Sequence, residues 1–233
     1  VIAWTHGTTG SDPSCAPSVL VDPYPFDPTI PSLDQVVEQG WIFVATDYMG
    51  LGTQGPHPYL IGEGEARSAL DSVRAAKQLS DFAMEDRTVV WGHSQGGHAA
   101  LWTGILAPTY APDVNVIGVA ALAPASDVAA LVDGAMNTVA GKIISGILLR
   151  SYTEIYPDVR FDDLVRPDAR WITRDLGTRC LAGPGALLSV VEVTRLLNNG
   201  IWAVTPSSNP ALAQRMAENT PRDPIAAPLL IAQ

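Results

Sequence analysis

WGHSQGGHAA, residues 91–100, begins at the end of an apolar run that opens at Thr88, and it leads into QGGHAALWTGILA, a segment of helical character. An apolar strand turning directly into a helix is the repeating unit of a parallel sheet. The same unit recurs on both sides. Residues 1–5 read as a buried strand that enters the turn His6-Gly7-Thr8-Thr9-Gly10. WIFVAT, residues 41–46, is a second strand and runs into the Gly-rich loop DYMGLGTQGPHPYL. The spacing of Ala66, Ala69, Val73, Ala76 and Leu79 predicts a helix over 64–82. Residues 114–122 form a further apolar strand that ends at APASD. Continuous apolar strands alternating with amphipathic helices predict a mostly parallel α/β sheet covered on both faces.

The remaining segments organise around this core. Prolines at 13, 17, 23, 25, 28 and 31 exclude regular helix or central strand from the loop 11–31. Ser32 with Gln35 three residues on reads as a helix start, and Gly40 as its stop. From Asp127 to Arg222 strands give way to helices rich in small apolar residues. APLLIAQ, residues 227–233, reads as a strand returning to the sheet. The expected division is a core over 1–126, a helical insertion over 127–222 and a returning core strand over 223–233.

The junction at residues 92–96 carries chemistry as well as topology. In Gly92-His93-Ser94-Gln95-Gly96 the serine sits in a turn so tight that its backbone is expected to be strained. The two glycines keep Cβ atoms away where strand and helix approach. Ser94 then projects above the C-terminal edge of the sheet, and the Gln95 N–H, at a helix start, is placed to hold an oxyanion. The alternative is an ordinary strand–helix turn with a capping serine. A nucleophilic serine needs an imidazole base, itself oriented by a carboxylate. In this kind of junction the order along the chain is serine, acid, histidine. The four histidines are His6, His57, His93 and His98, and none follows Ser94 at a distance that fits. His93 should point away, and His98 approaches only from the helix side, so both are expected to be structural. The acid and base are therefore expected beyond Gln233, with the chain a piece cut inside strands at both ends.

Composition narrows the class. The chain has 233 residues and a net charge of −10, which argues against nucleic acid as a partner. Low charge density with an acidic balance fits a soluble, exported protein. No apolar run reaches the length of a membrane span. Cys15 and Cys180 have no Cys or His neighbour at ligand spacing, so no metal site is expected. They are either two unrelated thiols or a disulfide closing a very long loop, contributing roughly 4–5 kcal/mol and implying an oxidising compartment.

HGTTG at His6, CAPS at Cys15, DYMGLG at Asp47, ARSALDSVRAAK at Ala66, GHSQGGHAALW at Gly92, YAPDVNVIGVAALAPASD at Tyr110 and GTRCL around Cys180 together resemble the secreted lipase family typified by Candida antarctica lipase A, and more closely its actinobacterial members. The resemblance implies an α/β-hydrolase with a helical cap, here without the C-terminal part of the fold. It implies cofactor-free hydrolysis of carboxylic esters, including acylglycerols, outside the cell. It makes Ser94 the nucleophile and puts one oxyanion amide at Gln95 and the other at Asp47. The residues themselves leave the His6-Gly7-Thr8 turn open as the second donor. The resemblance also implies that Cys15 and Cys180 are paired. The apolar run over 129–149 is a candidate lining for an acyl tunnel, with plain helix packing as the alternative, and transient contact with a lipid interface would follow. Two rivals stand beside this reading: acyl transfer or peptide hydrolysis on the same apparatus, and a non-catalytic binding protein that kept the serine turn.

Overall fold

A computed structural model of the chain describes residues 1–20, 33–79, 83–182, 184–196 and 198–233. Five strands form one sheet: β1 (Ile2–Thr5), β2 (Phe43–Ala45), β3 (Thr88–His93), β4 (Val116–Leu122) and β5 (Leu229–Ala232), in the order β2-β1-β3-β4-β5. Every pairing is parallel. The C-terminal ends of β1, β2 and β3 therefore open on the same edge, where the loops after Thr5, Ala45 and His93 meet.

Register explains which face is the core. Ala3, Val90 and Val119 lie opposite one another across β1, β3 and β4. All three are buried, in a cluster with Leu70, Val73, Ala100 and Ala107. Those four belong to α2 (Gly62–Ala76) and α3 (Gln95–Tyr110), which pack on each other and on the sheet. The opposite face is less deeply buried among the described residues. Side chains along β3 and β4 alternate between buried and half-buried. There Trp4 packs edge-on against Trp91 and at a tilt against Phe43, and Val36 and its neighbours lie close to Trp91.

Several expected boundaries shift. The helix expected over 64–82 starts two residues earlier and stops at Ala76. Leu79, placed on its apolar face by spacing, is exposed because the helix ends before it can be packed; residues 80–82 fall outside the described residues. The strand expected over 41–46 is only Phe43–Ala45, at the sheet edge, with Trp41 exposed. The helix α1 (Leu33–Glu38) ends as expected at Gly40, where φ is +72°. Its expected cap, Ser32, lies outside the described residues.

Between β4 and β5 run α4 (Val128–Ala135), α5 (Val139–Ile155), α6 (Phe161–Leu164), α7 (Arg170–Leu176), α8 (Pro184–Leu196) and α9 (Pro210–Glu218). Asp127, Thr138 and Asn209 cap α4, α5 and α9 with their side-chain oxygens. Within the apolar run over 129–149, Val132, Ile143, Ile147, Leu148 and Leu149 are buried in a core with Tyr152, Leu164 and Ile172, together with the loop residues Tyr59, Leu60 and Ile61, while Leu131 and Val139 are exposed. The Tyr152 hydroxyl donates to the Leu60 carbonyl and the Ser151 hydroxyl to that of His57, so α5 grips this loop. Among the described residues no helix is long and apolar enough to cross a membrane.

Cys15 and Cys180 form a disulfide across a sequence separation of 165 residues, joining the loop after β1 to the segment after α7. Beside it the Leu181 N–H donates to the Thr9 carbonyl. Closing so long a loop restricts the unfolded chain by about 5 kcal/mol. The double replacement Cys15→Ser with Cys180→Ser should lower the unfolding free energy by most of that amount. Denaturant titration of both forms checks this, and equal midpoints would refute it. A second expectation follows from packing at the start of α3. A Cβ at Gly96 would lie 1.8 Å from the Thr5 carbonyl oxygen, whereas one at Gly134 meets nothing within 4 Å. Gly96→Ala should destabilise the fold by at least about 3 kcal/mol, and Gly134→Ala should be neutral or mildly stabilising. Comparable unfolding curves for the two variants would contradict this account.

Candidate active site

The turn between β3 and α3 has the strained geometry expected of it. Ser94 sits at φ 57°, ψ −119°, a conformation unfavourable for any residue with a Cβ. It persists because its surroundings allow no alternative. The Ser94 N–H donates to the Leu122 carbonyl at 2.9 Å, and its own carbonyl accepts from the His98 N–H at 3.1 Å. Below it the Thr5 hydroxyl donates to the Gly96 carbonyl at 2.8 Å. A Cβ at Gly92 would meet both partners of that bond at 2.1 Å, so β1, β3 and α3 close together only because residues 92 and 96 have no side chain. Ser94 is left half-buried at the edge of the sheet, one residue before a helix whose first N–H groups have no intrahelical acceptor.

Asp47 and His6 lie against one another beside this turn. The Asp47 carboxylate accepts from the Ser18 N–H at 2.9 Å and from the Ser18 hydroxyl at 2.6 Å. Its side chain thus pins the loop that follows Cys15. The Asp47 carbonyl faces Nε2 of His6 at 3.3 Å, and the Tyr48 hydroxyl donates to the His6 carbonyl at 3.1 Å. Tyr48 itself has φ 64°, a second bend at the same edge. The two loops that sequence offered for the second oxyanion amide are therefore neighbours.

The rings of His6, His57 and His98 are committed elsewhere. His6 is buried, which pushes its pKa below the usual imidazole range, and Nδ1–H of the neutral ring donates to the Gly7 carbonyl at 2.6 Å. Burial lowers the pKa of His57 to about 3. Its Nδ1–H donates to the Met49 carbonyl at 3.1 Å. That leaves Nε2 as an acceptor, and the Gln95 carboxamide donates to it at 3.2 Å. The His98 Nε2–H donates to the Asn219 carbonyl at 2.8 Å, and its Nδ1 is hydrogen-bonded to Glu65 at 2.7 Å. His93 is exposed and adjacent to Ser94. Among the described residues no imidazole is hydrogen-bonded to the Ser94 hydroxyl.

Glu65 and Asn219 were not singled out by sequence reasoning. Glu65 is wholly buried and accepts from the Leu60 N–H at 3.0 Å and the Gln95 carboxamide at 2.8 Å. The Asn219 side chain, at the end of α9, accepts from the Gly62 N–H at 3.0 Å and donates to the Tyr156 hydroxyl at 2.8 Å. One signal for Glu65 was present in the sequence. It stands four residues before Ala69 on the apolar face of α2, where an unpaired carboxylate would be costly.

Comparison with known proteins agrees with this architecture. The family model for secretory lipases matches residues 29–200, well over half of the chain. Lipase 6 of Candida albicans is 28% identical over 199 residues, covering 78% of this chain and 41% of its own length. A secreted triacylglycerol lipase of Malassezia furfur is 38% identical over 87 residues, covering 36% of this chain and 22% of its own. Among solved structures, the rice cell wall degrading esterase LipA of Xanthomonas oryzae superposes with a TM-score of 0.73 at 22% identity, over 99% of this chain and 64% of the other. Candida antarctica lipase A superposes with a TM-score of 0.69 at 20% identity, over 99% of this chain and 56% of the other. The chain thus spans less than two thirds of the length of these relatives. The fold is that of the α/β-hydrolases, and the chain belongs to the secretory lipase family.

Proposed function

We propose that this chain carries the nucleophile and oxyanion apparatus of a secreted serine carboxylester hydrolase. The observation that carries the reading is Ser94 itself, held at φ 57°, ψ −119° on a strand–helix turn that glycines at 92 and 96 make possible. An ordinary capping serine needs no such strain, and strain of this kind concentrates where function requires a side chain to be presented. Family membership and the lipase and esterase names of the relatives support esters as the substrate class.

In this mechanism the Ser94 hydroxyl loses its proton to a general base as Oγ attacks the ester carbonyl carbon. The carbonyl oxygen takes up the electron pair and is held by the backbone N–H groups of Gln95 and Asp47. Collapse of the tetrahedral intermediate expels the alcohol, which takes the proton back from the base. Water then attacks the acyl-enzyme by the same route and frees the acid. Asp47 is favoured as the second donor over the His6-Gly7-Thr8 turn on the family resemblance, and Ser18 holds its side chain in place. His6, His57 and His98 are engaged with other partners, and His93, the residue before Ser94 on the strand, is read as pointing away from its hydroxyl, so the base and its orienting carboxylate are assigned to residues outside this sequence. The helices over 127–222 are read as a cap above Ser94, and contact with a lipid interface would involve that side. The disulfide and the family support an extracellular location.

The test uses the full-length protein. A fluorophosphonate should label it with one equivalent at Ser94, and Ser94→Ala should lower ester turnover by at least about 10⁴-fold while the unfolding midpoint stays within a few degrees. Labelling at another residue, or turnover that survives Ser94→Ala, would overturn the assignment. Failure of the unmodified full-length protein to label would favour the non-catalytic binding protein.

A further inference from the structure

Behind the Ser94 turn lies a closed polar network that the mechanism above does not use. Gln95, the first residue of α3, is 1% exposed. It donates one carboxamide hydrogen to Glu65 at 2.8 Å and the other to His57 at 3.2 Å. Its Oε1 is buried with no hydrogen-bond partner. Glu65, 0% exposed, gathers three donors: the Leu60 N–H, the Gln95 carboxamide and His98 Nδ1. His98, also 0% exposed, is held from its far side by the Asn219 carbonyl. The four side chains come from the loop before α2, from α2 and from the first turn of α3.

Stability alone does not explain this arrangement. Well-packed apolar residues of similar volume commonly replace a buried polar cluster without loss, and an orphaned amide oxygen is destabilising. A leucine or methionine at 95 would avoid that oxygen. What the carboxamide provides is direction, because two donated hydrogen bonds fix the side chain against partners that are themselves fixed. The backbone N–H of the same residue is the group aimed at the oxyanion, at a helix end where fraying would otherwise blur its position.

We propose that Glu65 and His98 are positioning residues for the oxyanion site, holding Gln95 by its side chain so that its backbone N–H stays aimed at the ester carbonyl oxygen. This rests on the assignment of Ser94 and Gln95 above. Glu65 acts through Gln95 by accepting its carboxamide hydrogen. His98 acts one step further back, fixing the second carboxylate oxygen of Glu65 and tying it to the end of α9.

The experiment compares kcat, KM and the rate of fluorophosphonate labelling in the full-length protein and its variants, on a short-chain p-nitrophenyl ester. Gln95→Met keeps the backbone N–H and the side-chain volume and removes both anchoring bonds. It should lower kcat about 10- to 100-fold with KM within about threefold, since a displaced oxyanion donor acts on the transition state. Its melting temperature should be unchanged or higher, which a merely structural role would not produce alongside a loss of kcat. Glu65→Met should behave like Gln95→Met. Glu65→Gln retains an oxygen for the Leu60 and Gln95 donors and should recover kcat to within about fivefold of the unmodified protein. If Glu65→Met does not fold, Gln95→Met and Glu65→Gln decide. A Gln95→Met protein with unchanged kcat and labelling rate overturns the positioning role while leaving Ser94 as nucleophile. An unmodified protein that does not label removes the parent assignment and this inference with it.

Discussion

The close approach of β1, β3 and α3 at Gly92 and Gly96 is the constraint on which the rest of the structure depends. Thr5 reaches across from β1 to the Gly96 carbonyl, and no Cβ fits in the space between them. With strand and helix so near, the chain can reverse only through one residue in a strained conformation, and Ser94 is that residue. The same closeness sets the register Thr5↔Gly92 at the end of the central strand pair, so the loops after β1 and β3 open side by side. The position of the candidate nucleophile and the assembly of the sheet thus have one cause.

A second layer of constraint comes from the helices between β4 and β5. They are tied to the sheet edge at three kinds of contact. The disulfide joins the segment after α7 to the loop after β1. Tyr152 and Ser151 of α5 hold the loop at His57 and Leu60. Asn219, at the end of α9, bonds to Gly62 at the start of α2 and to His98 in α3. Each contact meets an element that also touches the Ser94 turn or the loops beside it. A buried carboxylate is tolerable at the centre of this arrangement because every group around it donates.

Much of the fold was legible from local pattern. The strand–turn–helix at residues 88–110 could be read because an apolar run, two glycines and a helical segment are all contiguous, and the strain at Ser94 follows from that short connection. Boundaries were less legible. The helical spacing through Leu79 continues past the true end of α2, because spacing does not reveal where the packing partner stops. The apolar residues of α5 could equally line a tunnel or form a core, and only their burial against Tyr59, Leu60 and Ile61 separates the two. The disulfide came from the family pattern, since two cysteines 165 residues apart carry no local signal of pairing.

By itself the sequence determined the parallel α/β order, the tight turn at Ser94 and the helix start at Gln95, because each depends on residues within a few positions of one another. Tertiary structure alone decided that the rings of His6, His57 and His98 are committed to other partners, that Asp47 pins Ser18, and that Glu65 meets Gln95 and His98. These are hydrogen bonds between groups 29 or more residues apart, apart from the contact of His6 with its neighbour and that of His57 with Met49. Their existence depends on which loops the sheet edge brings together, and no spacing along the chain encodes it.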